Sequence, residues 1–292
     1  MPNTATKLNT LTSRSAFARS TSVCVLMITS LALGLGGCSE SKDNEILKVP
    51  QADGGVPYSP LEAGDTAGLE RLTKLAKDGD AQARFALGVF YEREENYEDA
   101  KFWYTLAVEK EVIAAHANLG RMYSDGLGTE RDDQRAAELF RWAADKGDAT
   151  SQYNLGRMYQ EGAGVAASES DAISWLEQSA AQGFADAQNH LGTIYNNRST
   201  PDFELAKDWY WLACQQGHAH ALYNLGVLYF NGQGVEVDYQ RAYLWILLSS
   251  LGGHELAIGA LPTVESKLPE ALIEQTRAQA GDWQNQLDSL AP

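Results

Sequence analysis

Gly162 and Gly164 close the segment YNLGRMYQEGAGV (153–165). A glycine-x-glycine turn beside a helix end is one way a backbone cradles a phosphate. The pairs Gly126/Gly128 and Gly232/Gly234 repeat the pattern in ANLGRMYSDGLGT (117–129) and YNLGVLYFNGQGV (223–235). A nucleotide site occurs once in a domain, so a loop that returns at intervals belongs to the architecture. The phosphate reading also lacks a preceding strand, a following lysine and a basic setting. His218 and His220, with His190 and His254 at comparable places, are the candidate metal ligands. Residues spaced i, i+2 on a helix point to different sides, so capping or solvated roles fit them better. Cys214 stands where other segments carry Ala144, Ala180 and Ser250, which makes it a small core residue rather than a nucleophile. Neither Gly-x-Ser-x-Gly nor His-Glu-x-x-His occurs. The chain is expected to be no enzyme, with no catalytic residue, no metal and no cofactor.

The elements that carry these residues are helical. Leu-Gly pairs begin at Leu87, Leu119, Leu155, Leu191 and Leu225, at spacings of 32, 36, 36 and 34. Around them lie Ala83/Leu87/Tyr91, Ala115/Leu119/Tyr123, Ser151/Leu155/Tyr159, Ala187/Leu191/Tyr195 and Ala221/Leu225/Tyr229. Positions i, i+4 and i+8 share one face of an α-helix, so each set predicts a buried seam. The glycine after each leucine costs about 1 kcal/mol of helix propensity, which close helix–helix contact would offset. A second helix follows each loop, carrying Ala100/Trp103, Ala136/Leu139, Ala172/Trp175, Ala206/Trp209 and Ala242/Trp245. Gly147, Gly183, Gly217 and Gly253 then stand where a left-handed helix stop belongs. One such hairpin cannot bury its apolar face alone, so neighbours must stack. The expected fold is all-α, a solenoid of stacked helix-turn-helix repeats.

Charge excludes one class of partner. The chain has 23 Lys and Arg against 39 Asp and Glu. Lys7, Arg14 and Arg19 all precede residue 38 in a stretch without acids, so the remainder is more acidic still. Such a surface repels nucleic acid, which is not expected as a partner. The basic start and the apolar run Val23–Leu35 suit a cleaved secretory signal, being too short for a bilayer-spanning helix. LGGC (35–38) resembles the lipobox of bacterial lipoproteins. That resemblance implies cleavage before Cys38, acylation of Cys38 and, with Ser39 next, sorting to the outer membrane facing the periplasm. Cys24 would leave with the signal, and Cys214 would remain without a disulfide partner. Residues 38–67, with Pro50, Pro57, Pro60 and Gly54–Gly55, read as a flexible tether reaching about 30 Å.

Two stretches carry a second resemblance, ATSQYNLGRMYQEGAGVAASESDAISWLEQSAAQG and AHALYNLGVLYFNGQGVEVDYQRAYLWILLSSLGG. They are similar to Sel-one-like repeats, relatives of the tetratricopeptide repeat, and the likeness covers 81–253. It implies a right-handed α-solenoid over 68–255, with five repeats behind an N-terminal half-repeat cap. Leu69, Leu72 and Leu75 mark that cap, and 256–292 forms a C-terminal capping helical segment. The first repeat lacks the Gly-x-Gly loop and the fourth has NNRSTPD in its place, leaving their loop geometry open. First helices would line the concave side, presenting Arg121, Arg157, Tyr153, Tyr223, Asn196, Phe230 and Asn231 to a peptide. Asn118, Asn154 and Asn224 fit inter-repeat hydrogen bonds to backbone equally well. Trp211 and Leu247 stand where Thr105, Arg141 and Glu177 occur elsewhere, marking a candidate convex apolar patch. The resemblance implies a membrane-anchored periplasmic scaffold for envelope proteins. A cell-wall or exopolysaccharide binder stays open, as does, more remotely, the β-lactamase-like hydrolase described for cysteine-rich members.

Overall fold

The computed structural model describes residues 66–288, with side chains placed as far as residue 281. The expected signal, the expected acylation site Cys38 and nearly all of the expected tether lie outside the described residues. Within them the chain is all α, with thirteen helices and no strand. A lone helix, α1 (Thr66–Lys77), precedes five hairpins. These are α2 (Ala81–Arg93) with α3 (Tyr97–Val108), and α4 (Ile113–Asp125) with α5 (Asp133–Asp145). Then come α6 (Ala149–Glu161) with α7 (Glu169–Ala181), and α8 (Ala185–Asn197) with α9 (Phe203–Cys214). The fifth pairs α10 (Ala219–Asn231) with α11 (Tyr239–Leu251), and α12 (Glu255–Glu265) and α13 (Glu270–Asp288) follow. Two compact units divide within α7, one ending at Trp175 and the other beginning at Leu176.

Each hairpin closes on the small residue and the leucine of the predicted seam, while of its tyrosines Tyr195 is buried and Tyr91, Tyr123, Tyr159 and Tyr229 are only half-buried. Ala83, Leu87, Ala115, Leu119, Ser151, Leu155, Ala187, Leu191, Ala221 and Leu225 are all buried. The glycine beside the leucine admits a large residue from the partner helix. A methyl at Gly88 would lie 2.5 Å from Cε1 of Tyr104, and one at Gly192 2.6 Å from Tyr210. No other residue leaves room for that ring, so the helical cost of glycine is offset by packing.

The Gly-x-Gly loops do more than turn. Gly126, Gly162 and Gly232 are left-handed C-caps of α4, α6 and α10, each donating its N–H to the carbonyl of Met122, Met158 or Leu228. The second glycine is left-handed too, and it docks on the preceding repeat. A methyl at Gly128 would lie 2.5 Å from the carbonyl oxygen of Tyr97, the first residue of α3. Gly164 approaches Asp133 at the start of α5 in the same way, and Gly234 approaches Phe203 at the start of α9. Lys101 reinforces the first of these contacts by donating to the Gly128 carbonyl at 2.7 Å.

The loops that lack the motif close by the same hydrogen bond as those that have it. The motif tyrosine's carbonyl accepts the N–H of the next helix's N-cap, at 2.9 Å from Asp132 to Tyr123 and from Ser168 to Tyr159. In the shorter loops Asn96 bonds Tyr91 at 2.9 Å and Asp202 bonds Tyr195 at 3.0 Å. The first repeat also places Glu111, at φ 59°, where later repeats have a glycine stop, a conformation that costs a side-chain-bearing residue about 1–2 kcal/mol. In α1 the buried positions are Gly68, Leu72 and Ala76, an i, i+4, i+8 stripe, while Leu75 is exposed. The three leucines that mark the cap lie at i, i+3 and i+6, which drift off one helix face, so Leu72 is buried and Leu75 is not.

Candidate functional site

In the first unit the two candidate arginines both meet acids of their own chain, in different ways. Arg121 on α4 donates to Glu92 on α2, and Asp125 lies 3.7 Å away. Glu92 also accepts from the Tyr104 hydroxyl at 2.7 Å, and Asn118 donates to that hydroxyl at 2.9 Å. Four residues from three helices thus form one network joining the first repeat to the second, and burial pushes the Tyr104 phenol well above its ordinary value. Arg157 is more open. Its partner is Glu161, 3.2 Å away one turn along α6, and its guanidinium lies 5.9 Å from the Tyr153 ring. An exposed i, i+4 pair of that kind is worth only about 0.3–0.5 kcal/mol, so a ligand carboxylate can replace it.

In the second unit Tyr223 and Phe230 are half-buried against the cluster of Tyr243, Ile246, Ala257 and Val264. The Phe230 ring meets Tyr239 edge-on at 5.4 Å. Asn196 bonds its neighbour Asn197 at 2.8 Å, and exposed Asn231 bonds Gln233 at 3.3 Å. On the second helices Trp211 is exposed and packs edge-on against Trp245 at 5.6 Å, while Leu247 is half-buried in the same core cluster as Tyr223.

Two of the three asparagines before the Leu-Gly pair, Asn118 and Asn224, make inter-repeat bonds, to side chains rather than backbone. Asn118 reaches Tyr104, and Asn224 reaches Asn189 at 3.1 Å. Backbone bonding falls instead to Gln152 and Gln188, both buried, which donate to the carbonyls of Ala144 and Ala180 at 3.1 Å. Arg84 does the same to Ala76 at 3.1 Å. These clamps tie the first helices α2, α6 and α8 to the end of the helix before each. The recurrence of glutamine at 152 and 188, one repeat apart, was the sequence signal for them.

His218 and His254 are helix N-caps, accepting from the N–H of Ala221 and Ala257. No group of three His, Cys, Asp or Glu residues could hold a metal ion among the described residues. Cys214 is buried, in line with a core role. No described helix is long and apolar enough to cross a membrane.

The Sel1 repeat family matches this chain at 81–111, 113–148, 149–184, 185–218 and 219–254. A solved Sel1 repeat protein from Oxalobacter formigenes is similar at 30% identity with a TM-score of 0.60, over 68% of this chain and 59% of its own. A protective antigen present in uropathogenic Escherichia coli strains, displaying an SLR fold, is similar at 28% identity with a TM-score of 0.64. That match covers 76% of this chain and 48% of the antigen. The chain therefore spans about three fifths and about half the length of these two relatives. Five matched repeats over more than half of its length, on an all-α solenoid of docked hairpins, place this chain in the Sel1 repeat family.

Proposed function

We propose that this protein is a lipid-anchored scaffold of the bacterial envelope whose first-helix surface captures a segment of a partner protein. Sel1 repeat proteins generally mediate protein–protein interaction, and their scaffold is generally non-catalytic. The observation that carries the reading is the exposed Arg157 guanidinium on α6, held by the weak Glu161 pair and lying 5.9 Å from the half-buried Tyr153 ring. A guanidinium beside a phenol ring suits an acidic or C-terminal peptide segment, by bidentate binding and apolar contact. Tyr223, Phe230 and Asn231 lie on the first helix α10 of the second unit. Arg121 takes a supporting role, holding the first two repeats together through Glu92.

Crosslinked capture from membranes, comparing wild type with Arg157→Ala, tests the peptide reading. Capture is expected to fall several-fold and lose its salt sensitivity, with the melting temperature unchanged because the Glu161 pair contributes little. Full capture by the variant would remove the arginine from the binding surface. Dependence on Tyr223 and Phe230 alone would point to a glycan.

The anchor has its own test. Cys38→Ala is expected to move the protein from the membrane fraction to the soluble periplasmic fraction, since acyl chains contribute about 0.8 kcal/mol per buried CH₂. Membrane retention by the variant would rule the lipid anchor out.

A further inference from the structure

Three imidazoles converge where the fifth repeat meets the C-terminal helix pair. His218 precedes α10, His220 lies in its first turn, and His254 precedes α12. The rings of His218 and His220 are 5.6 Å apart, and those of His220 and His254 are 4.4 Å apart. Tyr223 closes the group at 5.1 Å from His254.

Two of these histidines hold helices by a bond that a proton abolishes. Nδ1 of His218 accepts the Ala221 N–H at 3.2 Å, and Nδ1 of His254 accepts the Ala257 N–H at 3.3 Å. An imidazolium carries hydrogen on both nitrogens and accepts nothing, and its charge opposes the positive end of the helix dipole. Aspartates do this work elsewhere in the same chain. Asp80 and Asp148 cap α2 and α6 with acceptor distances of 2.7 and 2.6 Å.

We infer that His220 and His254 form an acid-sensitive latch, holding α12 on the fifth repeat when neutral and loosening it when protonated.

The surrounding charges are few. On α8, Asp186 accepts from Nε2 of His218 at 3.0 Å, which fixes the Nδ1-accepting tautomer. His218 holds this carboxyl below the usual range, so it stays ionised throughout. Gln188 on α8 and Gln216 before α10 are neutral and bond each other at 2.8 Å. On α11, Ser249 donates to the Ala219 carbonyl at 2.7 Å and brings no charge. Glu255 opens α12 and favours a proton on His254, as Asp186 does on His220. Burial and the neighbouring histidines outweigh them, lowering the proton affinity of both His220 and His254. A histidine depressed in the folded state contributes nothing above its unfolded value. Stability is lost as pH falls through about 6.5, and the loss levels off below the folded value.

Hydrogen exchange of the full chain at pH 7.5 and 5.5, corrected for intrinsic rates, reads the latch directly. Amides of α12 are expected to lose about tenfold or more in protection relative to α2, because His220 and His254 take up protons more readily once the helix has opened than while it is closed. The variant His220→Thr/His254→Asn keeps a capping side chain and uses the threonine found at the equivalent Thr150. Its relative loss is expected to stay under about twofold. The proposal is overturned if wild type is equally protected at both pH values, or if the variant retains the tenfold loss. Should the variant fail to fold, the midpoint of the wild-type loss decides. A midpoint between about pH 6.5 and 5.5 supports histidine, and one below about 5 assigns carboxylates and overturns the latch.

Discussion

Gly128→Ala is expected to destabilise the protein by about 3–4 kcal/mol, against about 1–2 kcal/mol for Gly126→Ala two residues earlier. The two glycines share a loop and nearly the same backbone, φ 64° and φ 71°, so the penalty for a left-handed alanine is common to both. They differ in space. An added methyl at Gly126 finds its nearest neighbour at 3.5 Å, ordinary contact, whereas at Gly128 it meets the Tyr97 carbonyl at 2.5 Å and the Tyr97 Cβ at 2.8 Å. Relief would require moving the start of α3 away from the loop of the next repeat, and the Lys101 bond to the Gly128 carbonyl would go with it. Urea melts of the two variants check the difference. Equal losses would mean that conformation alone, and no inter-repeat contact, selects the second glycine.

That contact also marks where the sequence stops being readable. The seams around Leu87 and Leu191 were legible because helical period and burial are both local. The left-handed stops at Gly147, Gly183, Gly217 and Gly253 were legible for the same reason, and all four have positive φ. Gly164 against Asp133 joins residues from neighbouring repeats, and nothing in a local pattern specifies which backbone a glycine approaches. The loop therefore read as a permissive turn, and its docking role came only with the structure. The fourth loop shows the converse. NNRSTPD departs from the motif, yet Asp202 still bonds the Tyr195 carbonyl, because the closing bond involves backbone that every sequence has.

Among the site residues, Arg121 and Arg157 looked alike because their positions in the repeat are equivalent. What separates them is the residue each meets, Glu92 from the previous repeat for one and Glu161 from its own helix for the other. Glu92 sits four residues after Gly88, and no composition or charge count ties it to Arg121. Tyr104, which bonds the same carboxylate, fills the space opened by that glycine. A charge on a repeat surface thus becomes structural or available according to its partner.

Ending the chain after Gly253 is expected to cost the second unit about 3–6 kcal/mol and to make it associate. Removing α12 and α13 uncovers Tyr243 and Ile246, both buried against Ala257, Val264 and Ile273 in the intact protein. Burial of a large apolar side chain contributes about 1.5–3 kcal/mol, which sets the range for the pair. The Tyr243 hydroxyl loses more, since it donates to Glu265 at 2.7 Å and accepts from Arg277 at 2.9 Å. Both partners leave with the deleted helices. A solenoid end without a polar cap exposes the face that a further repeat would cover, so truncated chains should pair through it. Sedimentation velocity and urea melts of the truncated chain read the two effects separately. Adding Ile246→Lys to the truncation should restore a monomer without restoring stability, because it removes the attraction between faces and returns no burial. A truncated chain that stays monomeric with an unchanged urea midpoint would show that the fifth repeat closes the array by itself, with α12 and α13 bound for some other purpose.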